Sequence, residues 1–304
     1  VALCVRAVRQ GSSCLHLESV AASTAVEGLA PEQVASLPWP EASAWVRAVE
    51  ASDLVAVGPE GAPDRPLRMV NGLLYLDRYW RQEQVVAQYV DAAMLAPPDV
   101  WDDDALAAAL ARLFPSTEPD LQRLAAVVSA HRRFSIVAGG PGTGKTTTVA
   151  RLLAVLQDLA GGGLKVALAA PTGKAAARLT EAVGHARDGL PAEDASRVGV
   201  LSASTLHRLL GSRRGERTRF WHNRDNRLPY DVVVVDEASM VSLTLMSRLV
   251  EALRPAARLV LVGDPHQLSS VEVGAVLGDL VRRQPPDRVA AVDLGALAPV
   301  DVEA

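Results

Sequence analysis

Three short stretches of this 304-residue chain carry polar residues at spacings that do chemistry. The first is Gly139-Gly140-Pro141-Gly142-Thr143-Gly144-Lys145-Thr146, an intact G-x-x-x-x-G-K-[ST], followed by Thr147. Glycines let a backbone wrap closely around a polyphosphate and aim its N–H groups at the oxygens, and a helix opening at the end of the loop adds a favourable dipole. In that pattern Lys145 reaches the β- and γ-phosphates of ATP and Thr146 offers its hydroxyl to Mg²⁺. Four fixed positions of this kind arise by chance in a chain of this size about once in a hundred sequences. The loop is therefore read as a nucleotide site and not as an incidental turn. The second stretch is an acidic pair after four valines, Asp236-Glu237. Such a pair can simply end a strand, but beside a phosphate loop Asp236 completes the metal shell and Glu237 is the candidate base that orients water. The chemistry is then attack of water on the γ-phosphate, driven by positioning and charge neutralisation. The third stretch places Asp264, His266 and Gln267 within four residues after another apolar strand.

These residues need a sheet to hold them. After Pro119 strands alternate with helices, the pattern of a parallel sheet with crossover helices. A helix over Asp120 to Arg132 precedes the strand Ser135 to Ala138, the glycine-rich loop and the helix Lys145 to Leu159, which Gly161-Gly162-Gly163 ends. Further strands are expected at Lys165 to Ala170, Asp231 to Val235 and Arg258 to Val262. Each is short, apolar on both faces and followed by a polar loop, as in a strand buried between helical layers, where ligands sit at the C-terminal ends. The expected fold is α/β, a P-loop NTPase with a parallel sheet and helices on both faces, preceded by a small, mainly helical N-terminal domain. That domain shows helical patterns at Pro40 to Glu50 and Asp102 to Leu113, and a hairpin turning at Asn71-Gly72 and leading into a helix.

Composition narrows the function. Nearly half of the residues are apolar, enough for a sizeable core, and the net charge of -4 lacks the basic excess of a general nucleic-acid coat. No apolar run approaches the eighteen or so residues of a membrane span, and no signal-peptide pattern opens the sequence, so a cytoplasmic protein without a membrane partner is expected. Cys4 and Cys14 lack a second Cys/His pair at metal-ligand spacing and read as free thiols. No acidic cluster outside the nucleotide site has the spacing of a two-metal nuclease.

Two helix starts could meet nucleic-acid phosphate. Thr172, Gly173 and Lys174 open one after the second strand, and Ser204, Thr205 and His207 open another. Taken alone, the first reads sooner as an ordinary helix start, and the hydroxyls of the second can simply cap. Between Arg208 and Arg227 stand seven arginines against Glu216 and Asp225, with Phe220 and Trp221 among them. That mixture suits single-stranded nucleic acid, by phosphate pairing and base stacking, and also suits a solvated basic loop.

The stretches VAGGPGTGKTTTVARLL, APTGKAAARL, STLHRLLG, VVVVDEASMVS and LVGDPHQLSSVEVGAVLGDL, in that order, closely resemble the RecD family, the alpha chain of RecBCD-type exodeoxyribonuclease V. The likeness runs unbroken from about Leu121 to Leu280 and more loosely into LLYLDRYWRQEQ. It implies a RecA-like ATPase domain over 119–290, an N-terminal domain over 1–118 that docks on a RecC-type subunit, and a superfamily 1B helicase moving 5′ to 3′ on single-stranded DNA with RecB and RecC type partners in double-strand break repair. Gln122 matches the glutamine that reads the adenine ring. Gly139, Gly140, Pro141, Gly142, Thr143, Gly144, Lys145, Thr146 and Thr147 match the phosphate loop. Thr172 and Lys174, and Thr205 and His207, match segments that face DNA, and Gln267 matches the γ-phosphate sensor. In the family a second RecA-like domain follows, with arginines that reach the γ-phosphate. Here the chain runs VRRQPPDRVAAVDLGALAPVDVEA, with 291–304 read as a truncated tail, so a front half without motor competence of its own is expected. A nucleotide-dependent docking module and a free-standing RecD-like helicase are the alternatives.

Overall fold

A computed structural model describes residues 1–24, 28–115, 120–212, 219–267, 273–274 and 276–282. Two compact units emerge from its contacts. One comprises Val1–Val85, with Ser242–Thr244 and the described residues Val273 and Gly274, and the other the remaining described residues.

The first unit is built on a four-stranded sheet of β1 (Cys14–His16), β2 (Val55–Val57), β3 (Leu67–Val70) and β4 (Leu73–Leu76), in the order β1-β4-β3-β2. The hairpin expected at Asn71-Gly72 joins β3 to β4, with both residues at positive φ, 50° and 78°. This is the left-handed pair that a two-residue turn between twisted strands requires, and asparagine and glycine adopt it at least cost. Cys4, Leu17, Leu67, Met69 and Leu74 form the core, with Trp45 and Val49 of the Ala42–Glu50 helix packed on it. Glu41 caps that helix, its carboxylate accepting from the amides of Ser43 and Ala44. Arg68 is buried, bonded through Nε to Asp77 at 2.6 Å and through its terminal nitrogens to the carbonyls of Gly58, Pro59 and Gly61. A buried guanidinium is tolerated because nearly every donor finds an oxygen.

The second unit is the expected α/β domain. Its sheet holds β5 (Phe134–Ala138), β6 (Val166–Ala170), β7 (Ala203–Thr205), β8 (Val232–Val235) and β9 (Arg258–Gly263) in the order β5-β9-β8-β6-β7, every pair parallel. All four residues of β8 and all six of β9 are buried, so both faces of these central strands are covered. Leu152, Leu153 and Leu156 of the Lys145–Leu159 helix meet Val234, Val260 and Val262 in one core, to which the Asp103–Leu113 helix adds Leu106, Leu110 and Leu113. Asp102 and Asp120 cap the helices that follow them, accepting from Ala105 N and Gln122 N. Gly161, Gly162 and Gly163 follow the Lys145–Leu159 helix at φ of 68°, 89° and 82°. Register brings the C-terminal ends of the strands to one edge. Ala138 pairs with Gly263, Val235 with Leu261 and with Ala169, and Ala170 with Thr205.

Candidate nucleotide-binding site

The phosphate loop leaves that edge at the end of β5. Gly142 and Gly144 take φ of 77° and 80°, and Gly144 is the residue from which the Lys145–Leu159 helix starts. A Cβ on Gly144 would come within 2.4 Å of Gln122 Nε2, and one on Gly139 within 2.8 Å of Thr143 Oγ1. Positions 140 and 142 face open space, where a Cβ would meet nothing within 4 Å. The loop is thus pinched from behind and open in front, which is what close approach of a phosphate needs. Lys145 Nζ donates to the carbonyls of Gly139 and Gly140, each at 2.7 Å, and Thr143 Oγ1 donates to the Gly140 carbonyl at 3.0 Å. The ammonium is curled over the loop it would serve. Thr146 and Thr147 stand in the first turn of the helix, half-buried, and Thr148 beyond them is buried with its hydroxyl donating to Gly144 O.

Asp236 follows β8 on the same edge, its amide donating to Ala169 O at 2.9 Å. Burial pushes the Asp236 carboxyl up from the ordinary aspartate value, against the Glu237 amide and the charge of Lys145, which pull it down. A carboxylate in this setting gains by meeting a cation. Glu237 lies at φ 51°, ψ 39°, a left-handed conformation rare for a side-chain-bearing residue, and turns the chain into the 3-10 turn Ala238–Met240. The donor set of Thr146 hydroxyl and Asp236 carboxylate is hard oxygen, suited to Mg²⁺.

Gln122 stands in the first turn of the Leu121–His131 helix with Nε2 donating to Thr143 O at 3.1 Å. The loop after β9 holds the third set. Asp264 Oδ1 accepts from His266 N at 2.9 Å and its carbonyl from Gln267 N at 3.2 Å, so Asp264 folds the loop while His266 stays exposed. Ser239 Oγ lies 3.4 Å from Gln267 Oε1. Sequence reading missed Ser239 and also Gly263, whose Cβ would come within 3.2 Å of Ala238 N and 3.3 Å of Ser239 N. Gly263 O in turn accepts the Gly139 amide at 3.2 Å. Only the small size of the residue before Asp264 hints at this junction. The part of the LVGDPHQLSSVE stretch at 268–272 lies outside the described residues.

Thr172 and Thr205 cap their helices, accepting from Ala175 N and Arg208 N, each at 3.2 Å, at the ends of neighbouring strands β6 and β7. Lys174 is exposed, and the exposed His207 ring lies 5.8 Å from that of Phe220. The basic stretch divides. Arg213, Arg214 and Arg217 lie outside the described residues, Arg224 pairs with Glu251 at 2.9 Å, and Arg227 donates to the carbonyls of Glu251 and Leu253.

Among the described residues no helix is long and apolar enough to cross a membrane, and no group of three or more His, Cys, Asp and Glu side chains could hold a metal ion. Cys4 and Cys14 are free thiols.

Two family descriptions match. Residues 122–273 match an AAA domain, and residues 1–75 match the N-terminal domain of RecBCD enzyme subunit RecD. The RecBCD enzyme subunit RecD of Mycolicibacterium smegmatis is 52% identical over 285 residues, covering 92% of this chain and 48% of the relative. That of Mycobacterium tuberculosis is 50% identical over 289 residues, covering 92% and 46%. The ATP-dependent RecD2 DNA helicase of Deinococcus radiodurans is 36% identical over 225 residues, covering 73% of this chain and 28% of its own length. The chain spans about half the length of the two RecBCD-subunit relatives.

Proposed function

The chain belongs to the RecD family, and on that premise we propose that it supplies the ATP site and part of the DNA surface of a helicase subunit. The reading carries 5′-to-3′ movement on single-stranded DNA within a RecB- and RecC-containing complex, in the cytoplasm, acting in double-strand break repair. Its division of labour is a docking part over 1–118 and an ATPase part over 119–290. The observation that carries it is the meeting of the glycine-pinched loop, Asp236 and the Gln267 loop at one edge of a parallel sheet.

In this reading the backbone amides of residues 142–146 hold the β- and γ-phosphates, and Lys145 exchanges the carbonyls of Gly139 and Gly140 for phosphate oxygens. Mg²⁺, held by Thr146 and Asp236, would neutralise charge on the phosphates. Glu237, the residue after Asp236, accepts a proton from the attacking water. Gln122 reads the adenine edge, and Gln267 senses the γ-phosphate. Thr172, Lys174, Thr205 and His207 face the DNA strand from the ends of β6 and β7. Arginines of a second RecA-like domain would complete the transition-state charge, and such a group is worth orders of magnitude in rate.

The RecD N-terminal match over residues 1–75 favours a complex subunit over a free-standing helicase. The test is equilibrium binding of a fluorescent ATP analogue to the purified chain, with Lys145→Ala as comparison and unfolding midpoints to establish equal folding. Micromolar binding that falls about a hundredfold in the variant supports the site. Equal affinity of the two proteins overturns it. Stimulation of hydrolysis by single-stranded DNA in the complex with RecB and RecC type subunits separates a motor from a docking module.

A further inference from the structure

We infer that Ser239 is a positioning residue whose hydroxyl sets the Gln267 carboxamide so that its N–H₂ group, and not its carbonyl, faces the terminal phosphate of a bound nucleoside triphosphate. This rests on the reading of Gln267 as the γ-phosphate contact. A glutamine side chain has one end that only accepts and one that only donates, and the two are nearly equal in shape. A phosphate oxygen only accepts. A carboxamide free to flip would therefore present a repelling carbonyl to the nucleotide in one of its two orientations.

Ser239 favours the productive orientation, because with Nε2 turned to the phosphate the carbonyl end needs a donor and the serine hydroxyl can supply one. Its Oγ lies 3.4 Å from Gln267 Oε1, an atom that can only accept, so the hydroxyl is the donor and Nε2 is left for a ligand. The serine is 5% exposed and sits in the one-turn helix Ala238–Met240, two residues after Glu237. Its backbone lies close against a second strand end. The Ser239 amide lies 3.3 Å from where a Cβ on Gly263 would stand, and Gly263 is the residue from which the Gln267 loop departs. Hydrogen bonds from His266 N to Asp264 Oδ1 and from Gln267 N to Asp264 O then fold the intervening residues. Gly263 O accepts from Gly139, the first residue of the phosphate loop. Donor and acceptor are thus anchored to one backbone junction shared by all three nucleotide-facing loops.

The test uses the 304-residue chain with Mg²⁺ and fluorescent analogues of ATP and ADP, which differ in the phosphate Gln267 would touch. The wild-type chain should bind ATP more tightly than ADP, and Ser239→Ala should reduce that preference about threefold to tenfold, the scale of one neutral hydrogen bond. Gln267→Ala should reduce it at least as much, and adding Ser239→Ala to Gln267→Ala should change nothing further. Ser239→Thr, which keeps the hydroxyl, should keep the preference. An unchanged preference in Ser239→Ala, or an equal loss when Gln267 is already absent, overturns the inference while leaving the nucleotide site standing. A wild-type chain that binds neither nucleotide overturns the site itself, and the inference with it.

Discussion

Gln122 Nε2 donates to the carbonyl of Thr143 at 3.1 Å, so the residue read as the adenine contact is already tied to the loop read as the phosphate contact. An amide nitrogen has two hydrogens, and the second is available to a base edge while the first holds the loop. Gln122→Ala removes both. It should weaken ATP binding about tenfold and lower the preference for ATP over GTP, measured by competition against a fluorescent analogue. A loss of affinity with the ATP:GTP ratio intact would assign Gln122 to the loop alone. Gly144→Ala should be at least as damaging, because φ of 80° and a contact of 2.4 Å to Gln122 both oppose a Cβ.

Glu237 is held at φ 51° beside a carboxylate that burial makes reluctant to ionise. If it takes a proton from the attacking water, Glu237→Gln should slow single-turnover hydrolysis by about a hundredfold or more while leaving Mg-ATP affinity within about threefold. The amide keeps the shape and the backbone turn, so a fall in affinity equal to the fall in rate would place Glu237 in binding and not in proton transfer.

Asp236 carries a stability cost whose sign follows from its raised pKa. Below the ordinary aspartate range, near pH 4, the carboxyl is protonated in both folded and unfolded chains and the cost vanishes. As pH rises through the higher folded value, the unfolded chain ionises more readily, and the folded state loses ground. Asp236→Asn should therefore unfold a few degrees higher than wild type at pH 7, with the gap closing as the pH falls towards 4. Thermal melts at four or five pH values suffice. A constant gap would mean that the asparagine acts through packing.

Much of the site was legible because its signals are local. A glycine-rich loop, a helix beginning at Lys145, aspartates at positions 102 and 120 and the Asn71-Gly72 turn are each decided within a few residues, and their partners are backbone groups close in sequence. What escaped depends on distant partners. β1 is three residues long and takes its place only by pairing with β4, some sixty positions away, so no periodicity announces it. β7 hid behind its helix-start residues for the same reason. Charge counting over Arg208 to Arg227 could not show that Arg224 and Arg227 serve the end of the Leu243–Ala252 helix, where Glu251 and the last carbonyls attract them. The Ser239–Gln267 contact joins two loops that only the β8–β9 register brings side by side.

The helix that begins next to Gln122 is also held at its far end. Arg258, the first residue of β9 and 6% exposed, donates to the carbonyls of Ser129 and Arg132 and to Asp99 Oδ2 at 2.8 Å. Asp99 in turn accepts from Arg133 at 2.8 Å. Burial lowers the Arg258 pKa, and Asp99 opposes that, yet an arginine stays charged across any working pH. Arg258→Met fills the space of the stem but strands two carbonyls and leaves the Asp99 carboxylate to Arg133 alone, so it should cost about 3 kcal/mol of unfolding free energy in urea. Arg258→Lys supplies one point of charge where a planar fork reaches three oxygens, and should recover less than half of that loss. Because the same helix presents Gln122 to the phosphate loop, Arg258→Met should also weaken ATP binding a few-fold at temperatures well below its unfolding midpoint. Unchanged ATP affinity beside a full loss of stability would show that the Gln122–Thr143 bond alone positions the helix start.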